Sequence, residues 1–176
     1  NPREDHRTTI VHFGFSTAEQ VERIARLGAI VSANPYYLTA LADRYGEQGV
    51  GPERADAIAR LGEVARAGVS FSLHSDMPMA PGQPLFLMWC AVNRTTLSGR
   101  TARTDLRITA EQALRAVTLD AAYSIRLKGE IGSLEVGKKA NFTVLADNPL
   151  TEDPTTIKDI DEWGTVLEGR LQPIEA

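Results

Sequence analysis

The stretch VSFSLHSDMP, Val69 to Pro78, decides how this chain is read. Val69, Phe71 and Leu73 alternate with Ser70, Ser72 and His74, the period of a strand with one apolar and one polar face. The alternation stops at His74-Ser75-Asp76, and Pro78 blocks further ladder pairing. A histidine and a carboxylate therefore sit where a strand opens into a loop. In parallel α/β folds that is where ligands bind. The plainer alternative is a polar turn in which Asp76 caps the next helix.

Working outward toward the N-terminus, RTTIVHF (7–13) reads as a short strand and AIVSAN (29–34) as another, ended by Pro35. Between them Ser16 and Glu19 form a capping box, Val21, Ile24 and Ala25 a helical stripe, and Gly28 a stop. YYLTALADRYGEQGVG is a long loop or short helix, with Tyr36 and Tyr37 at a strand end, either lining a pocket or packing in the core or rim. Pro52 opens a further helix that Gly68 closes. The order strand–helix, three times over, is that of right-handed parallel βα units. Polar residues appear toward the C-terminal end of each strand, near His12, Asn34 and His74. Three units form a small open sheet or part of a barrel.

Toward the C-terminus, PLFLMWCAVNRTTLSG is a mostly buried helix ending at Gly99. Asn93 and Arg94 brace its end, or Arg94 reaches a substrate carboxylate. Thr109 and Gln112 make a second capping box for a helix running to about Gly129. Beyond it come Gly-punctuated strands: a turn at Glu135–Lys138, a strand in NFTVL, and a hairpin in TVLEGRL.

Composition sets the outer bounds. The 176 residues suffice for one domain or a domain with an appendage, and the net charge of -4 argues against a nucleic-acid binder. The one cysteine, Cys90, excludes an internal disulfide and a cysteine-cluster metal site, and is read as a core residue. The apolar run around it is far shorter than the roughly 20 residues of a membrane span. The expected setting is the cytoplasm, although the chain starts at Asn1 and a targeting segment ahead of it stays open.

Ile131 to Leu145, IGSLEVGKKANFTVL, resembles the segment leading into the C-terminal β-sandwich of the metal-dependent amidohydrolase superfamily, as does the Glu168-Gly169-Arg170 hairpin. SLHSDMP followed by Pro84-Leu85 and AVNR resembles the eighth strand region of that superfamily's barrel. TIVHFGF resembles the sixth strand of its N-substituted formamide deformylase-like branch. Asn141 departs from the aspartate usual in the sandwich motif.

The resemblance implies an α/β chain that is the C-terminal portion of a (β/α)8 TIM barrel, strands six to eight, with part of a small β-sandwich. Residues 1–128 would be barrel and 129–176 sandwich. It implies a metal-dependent hydrolase of C–N, amide-type bonds that uses a divalent metal, zinc, with one or two ions in the intact parent. His12 matches the sixth-strand metal ligand. Asp76 matches the eighth-strand aspartate, which binds metal and takes a proton from the attacking water. His74 matches no ligand and is assigned to substrate contact, with Arg94 as a second substrate-binding candidate. The family's first-strand His-x-His pair and its middle-strand ligands have no counterpart among His6, His12 and His74, so the chain alone is expected to be inactive. Expected partners are a small-molecule amide, the missing N-terminal part of the same protein, and further copies in a homo-oligomer, with no nucleic acid and no membrane. A non-catalytic scaffold keeping the same fold is the alternative. A serine-hydrolase reading of Ser75 fails, because adjacent residues at one strand end cannot form the hydrogen-bonded relay.

Overall fold

A computed structural model describes residues 4–173. The outermost residues of both expected segments, 1–3 and 174–176, lie outside the described range. Three parallel strands form the first sheet: β1 (Thr9–His12), β2 (Ile30–Ala33) and β3 (Phe71–Leu73), in the order β1-β2-β3. Helix α1 (Ala18–Leu27) links β1 to β2. Helices α2 (Tyr36–Gln48), α3 (Pro52–Asp56) and α4 (Leu61–Arg66) link β2 to β3. Then come α5 (Pro84–Asn93), α6 (Ala110–Val117) and α7 (Leu119–Ser124). A separate antiparallel sheet, β4 (Phe142–Leu145), β5 (Glu162–Leu167) and β6 (Arg170–Pro173), ends the chain. This is the mixed α/β organisation that the strand–helix alternation predicts. Val31, Ala33, Leu73, Val64, Met88, Ala113 and Ala116 fill the core between the first sheet and its helices. Cys90 is buried, and burial pushes its thiol up to about 12. No helix among the described residues is long and apolar enough to cross a membrane.

Several elements differ from the sequence expectation, each for a local reason. Strand β3 is buried on both faces, Ser72 included, as strands of covered parallel sheets are. The first capping box is Thr17 with Gln20, not Ser16 with Glu19. Thr17 has the extended backbone of an N-cap, and its hydroxyl accepts from the Gln20 amide. Residues 36–48 form a full helix whose buried stripe is Leu38, Thr39 and Ala42. The 109–129 helix breaks at Thr118, whose hydroxyl donates to the Leu114 carbonyl and competes with the ladder.

The largest departure surrounds Arg94. Helix α5 ends at Asn93, before Gly99, with Arg94 in the left-handed region at φ 53. The Arg94 side chain is 2% exposed. Its guanidinium donates to the carbonyls of Ala102, Ala59, Asp56 and Ile58 at 2.7–2.9 Å. Three of those carbonyls lie in the segment expected to continue one helix from Pro52 to Gly68. Arg94 draws them out of the helical ladder, which divides that segment into α3 and α4. This corrects the assignment of Arg94 to substrate binding: four of its five donors are spent on backbone. Arg94→Met, which keeps the bulk but takes the side-chain donor from the carbonyls of Asp56, Ile58 and Ala102, should lower unfolding free energy by about 3–5 kcal/mol. The shift in urea midpoint measures it, and a midpoint within error of the parent chain would contradict this account.

Candidate active site

The parallel register sets the site. His12 pairs with Ala33 across β1 and β2, and Ala33 pairs with Leu73 across β2 and β3, so the three strands end level. The residues emerging from that end are His12, Asn34 and His74–Asp76.

Asn34 joins two of the strand ends. It is fully buried. Its Nδ2 donates to the Ser75 carbonyl at 3.0 Å, and its Oδ1 accepts from the Tyr36 amide at 3.0 Å. One side chain thus pins the loop after β3 and holds the first turn of α2. Within that loop Met79 N donates to the Asp76 carbonyl and Ala80 N to that of Ser75, closing a tight turn. Asp76 does not cap a helix: α5 starts only at Pro84, and the carboxylate turns back toward α2.

Tyr37 Oη donates to Asp76 Oδ2 at 2.6 Å and lies 3.3 Å from His12 Nδ1. His12 Nδ1 and Asp76 Oδ2 approach to 3.7 Å, and the rings of His12 and His74 lie 5.3 Å apart. Three of the four residues predicted for the site therefore meet, and Arg94 belongs elsewhere. Tyr37, left by its sequence context between pocket lining and packing, bridges the other two elements. Its only signal is its place in the first turn after the end of β2. The carboxylate of Asp76, together with burial, pushes the Tyr37 phenol up to about 12, so it stays a donor at neutral pH. Burial and the neighbouring His12 ring lower the pKa of His74 and keep that imidazole neutral, and its Nε2 is buried without a partner.

Two of the ten non-glycine residues with positive φ among the described residues belong to the site. His12 and Asp76 take φ values of 67 and 52, in the left-handed region. Such conformations cost on the order of 1–3 kcal/mol each and cluster at binding and catalytic sites. Neutral imidazole and carboxylate are suitable donors for a divalent cation such as zinc. His12 Nε2 and Asp76 Oδ1 make no hydrogen bond within the described residues and stay free for one. The donor set fits such an ion but is incomplete: no group of three or more metal-ligating side chains occurs among the described residues.

Asn34→Ala, which removes both hydrogen bonds and unseats the 75–76 loop, should destabilise the fold by about 1–3 kcal/mol. Urea denaturation tests this, and an unchanged midpoint would show that the loop holds without the clamp.

The chain resembles known proteins over most of its length. Residues 1–172 match the amidohydrolase family. The chain is 31% identical to N-substituted formamide deformylase of Arthrobacter pascens over 178 aligned positions, covering 97% of this chain and 32% of that protein. It is 30% identical to imidazolonepropionase of Bacteroides fragilis, covering 73% of this chain and 26% of that one. Among solved structures, an uncharacterised metal-dependent hydrolase from Pyrococcus horikoshii superposes with a TM-score of 0.69 at 22% identity, over 85% of this chain and 31% of the other. A zinc-bound adenosine deaminase from Xanthomonas campestris gives 0.67 at 19% identity, over 97% and 38%. The chain thus spans about a third of the length of these relatives. With its family match running over almost every residue and its strand ends converging on His12, His74 and Asp76, the chain belongs to the amidohydrolase family.

Proposed function

We propose that this chain supplies one side of the active site of a metal-dependent hydrolase acting on a C–N, amide-type bond of a small molecule. The observation that carries the reading is the approach of His12 and Asp76 to 3.7 Å from strands that are not neighbours in the sheet. In this reading β1, β2 and β3 are the sixth, seventh and eighth strands of a (β/α)8 barrel, residues 1–128 belong to that barrel, and residues 129–176 belong to a β-sandwich.

His12 and Asp76 would hold a divalent metal, zinc by the choice of donors, with the remaining ligands drawn from the rest of the protein. Such an ion supplies a hydrolytic nucleophile at neutral pH by acidifying water toward a pKa of about 7. Asp76 takes the proton from the attacking water and delivers it to the departing amine. The Tyr37 hydrogen bond holds the Asp76 carboxylate in place by its Oδ2. His74, neutral and partly buried, faces His12 and contacts the substrate. The relative named N-substituted formamide deformylase makes an N-substituted formamide the first substrate class to try.

In the intact protein, Asp76→Asn should lower kcat by about 10²–10⁴-fold with the fold retained, because the amide cannot accept the proton. Steady-state kinetics on an N-substituted formamide, with circular dichroism as a folding control, test this. Turnover near that of the parent would overturn the assignment.

The same reading makes the rest of the protein the chain's first partner. Strand β1 lies at the edge of its sheet, with Ile10 and Val11 exposed. An open, apolar strand edge recruits another strand. The chain expressed alone should therefore self-associate, and co-expression with the preceding segment of the protein should replace that oligomer by a defined complex. Size-exclusion chromatography with light scattering distinguishes these states, and a stable monomer at micromolar concentration would count against the barrel assignment.

A further inference from the structure

Tyr37 stands between the two proposed ligands with a single proton to give. The 2.6 Å contact to Asp76 Oδ2 has the length of a charge-assisted O–H···O bond, so that proton goes to the carboxylate. Toward His12 the hydroxyl then offers only lone pairs. The 3.3 Å approach of His12 Nδ1 is a hydrogen bond only when Nδ1 carries the hydrogen. Nδ1 cannot use Asp76 directly, since 3.7 Å is beyond hydrogen-bonding reach.

We propose that Tyr37 is a positioning residue of the metal site, acting through a chain from His12 Nδ1–H to Tyr37 Oη–H to Asp76 Oδ2. This rests on the metal-site reading above and adds its second layer. The chain fixes His12 as the Nδ1–H tautomer, which leaves the Nε2 lone pair for a cation. It also engages Oδ2 of Asp76 and leaves Oδ1 free. One hydroxyl thus sets the tautomer of one ligand and the carboxylate orientation of the other, although one ligand ends β1 and the other follows β3, with β2 between. Metal-bound imidazoles depend on such an outer partner for tautomer, ring orientation and basicity. The backbone supports the arrangement: Asn34 Oδ1 accepts from the Tyr36 amide and Asn34 Nδ2 donates to the Ser75 carbonyl, which holds the segments bearing Tyr37 and Asp76 against each other.

The test uses the intact protein carrying this chain, labelled with 15N at histidine, with His12→Gln to assign the His12 signals. At about pH 8, where imidazole is neutral, the metal-free protein should show His12 as the Nδ1–H tautomer. In Tyr37→Phe this signal should give way to Nε2–H or a mixture. Cobalt(II) affinity, measured by competition with a chromophoric chelator, should fall by about 10- to 100-fold in Tyr37→Phe. His12 found as Nε2–H in the unsubstituted protein would overturn the proposal without recourse to any variant. An unchanged tautomer and unchanged cobalt affinity in Tyr37→Phe would overturn it as well. Unsubstituted protein that shows the Nδ1–H tautomer and takes up no cobalt would instead confirm the hydrogen-bond chain and sink the metal reading on which the proposed function stands.

Discussion

Everything at the site depends on the parallel register of three short strands. Because Thr9 pairs with Ile30 and Val31 with Phe71, the strands finish level, and the residues at their C-terminal ends enter the same space. A one-residue slip of β1 would carry His12 to the other face of the sheet, away from Asp76. The register is set by burial on the β2 and β3 side. Val31, Ala33, Phe71 and Leu73 are all 8% exposed or less and lock those two strands together. No comparable burial fixes β1, whose residues are half-buried at best.

Two buried polar residues then convert that frame into specific loops. Asn34 and Arg94 perform the same physical task, donating to backbone carbonyls outside the regular ladders, and neither faces solvent. Groups of this kind are unforgiving, because an unmet carbonyl inside a protein costs about as much as a lost hydrogen bond. Asn34 uses its one amide to hold Ser75 and hence Asp76. Arg94 gathers Asp56, Ile58, Ala59 and Ala102, and so shapes the turn between α3 and α4. Burial lowers its pKa to about 10, still far above neutral pH, so it remains a cation held by carbonyl dipoles. A charge so placed lies outside the chemistry while deciding the path of the chain that surrounds it.

The strand in 69–74 and the repeated strand–helix order were legible from residue type, although the alternation suggested a polar face where β3 is buried on both sides. So were the stops at Gly28 and Pro35 and the capping box at Thr109, where local chemistry acts within a few residues. The hidden features are long-range. Nothing near residue 94 reveals that three of its four carbonyl partners lie at Asp56, Ile58 and Ala59, far upstream in the chain. An arginine beside Asn93 looks like a surface brace or an anion site. Tyr37 was ambiguous for the same reason: its acceptor is 39 residues away. The break at Thr118 was hidden differently, since threonine tolerates a helix and bends it only when its hydroxyl turns back onto the backbone.

The sheet is asymmetric in a way that bears on the chemistry. Strand β3 is enclosed by the core and brings Asp76 to the site on a loop clamped by Asn34. Strand β1 is exposed and brings His12 in a left-handed backbone conformation. Asp76 is therefore built into the stable side of the structure, and His12 into the open side. Strain at His12 is tolerable only where surrounding contacts hold it, and the Tyr37 hydroxyl, the Asp76 carboxylate and the His74 ring reach it from the rigid side. In the proposed reading, a strand that covers the β1 edge also fixes the placement of His12, so completing the ligand set and closing the sheet are one event.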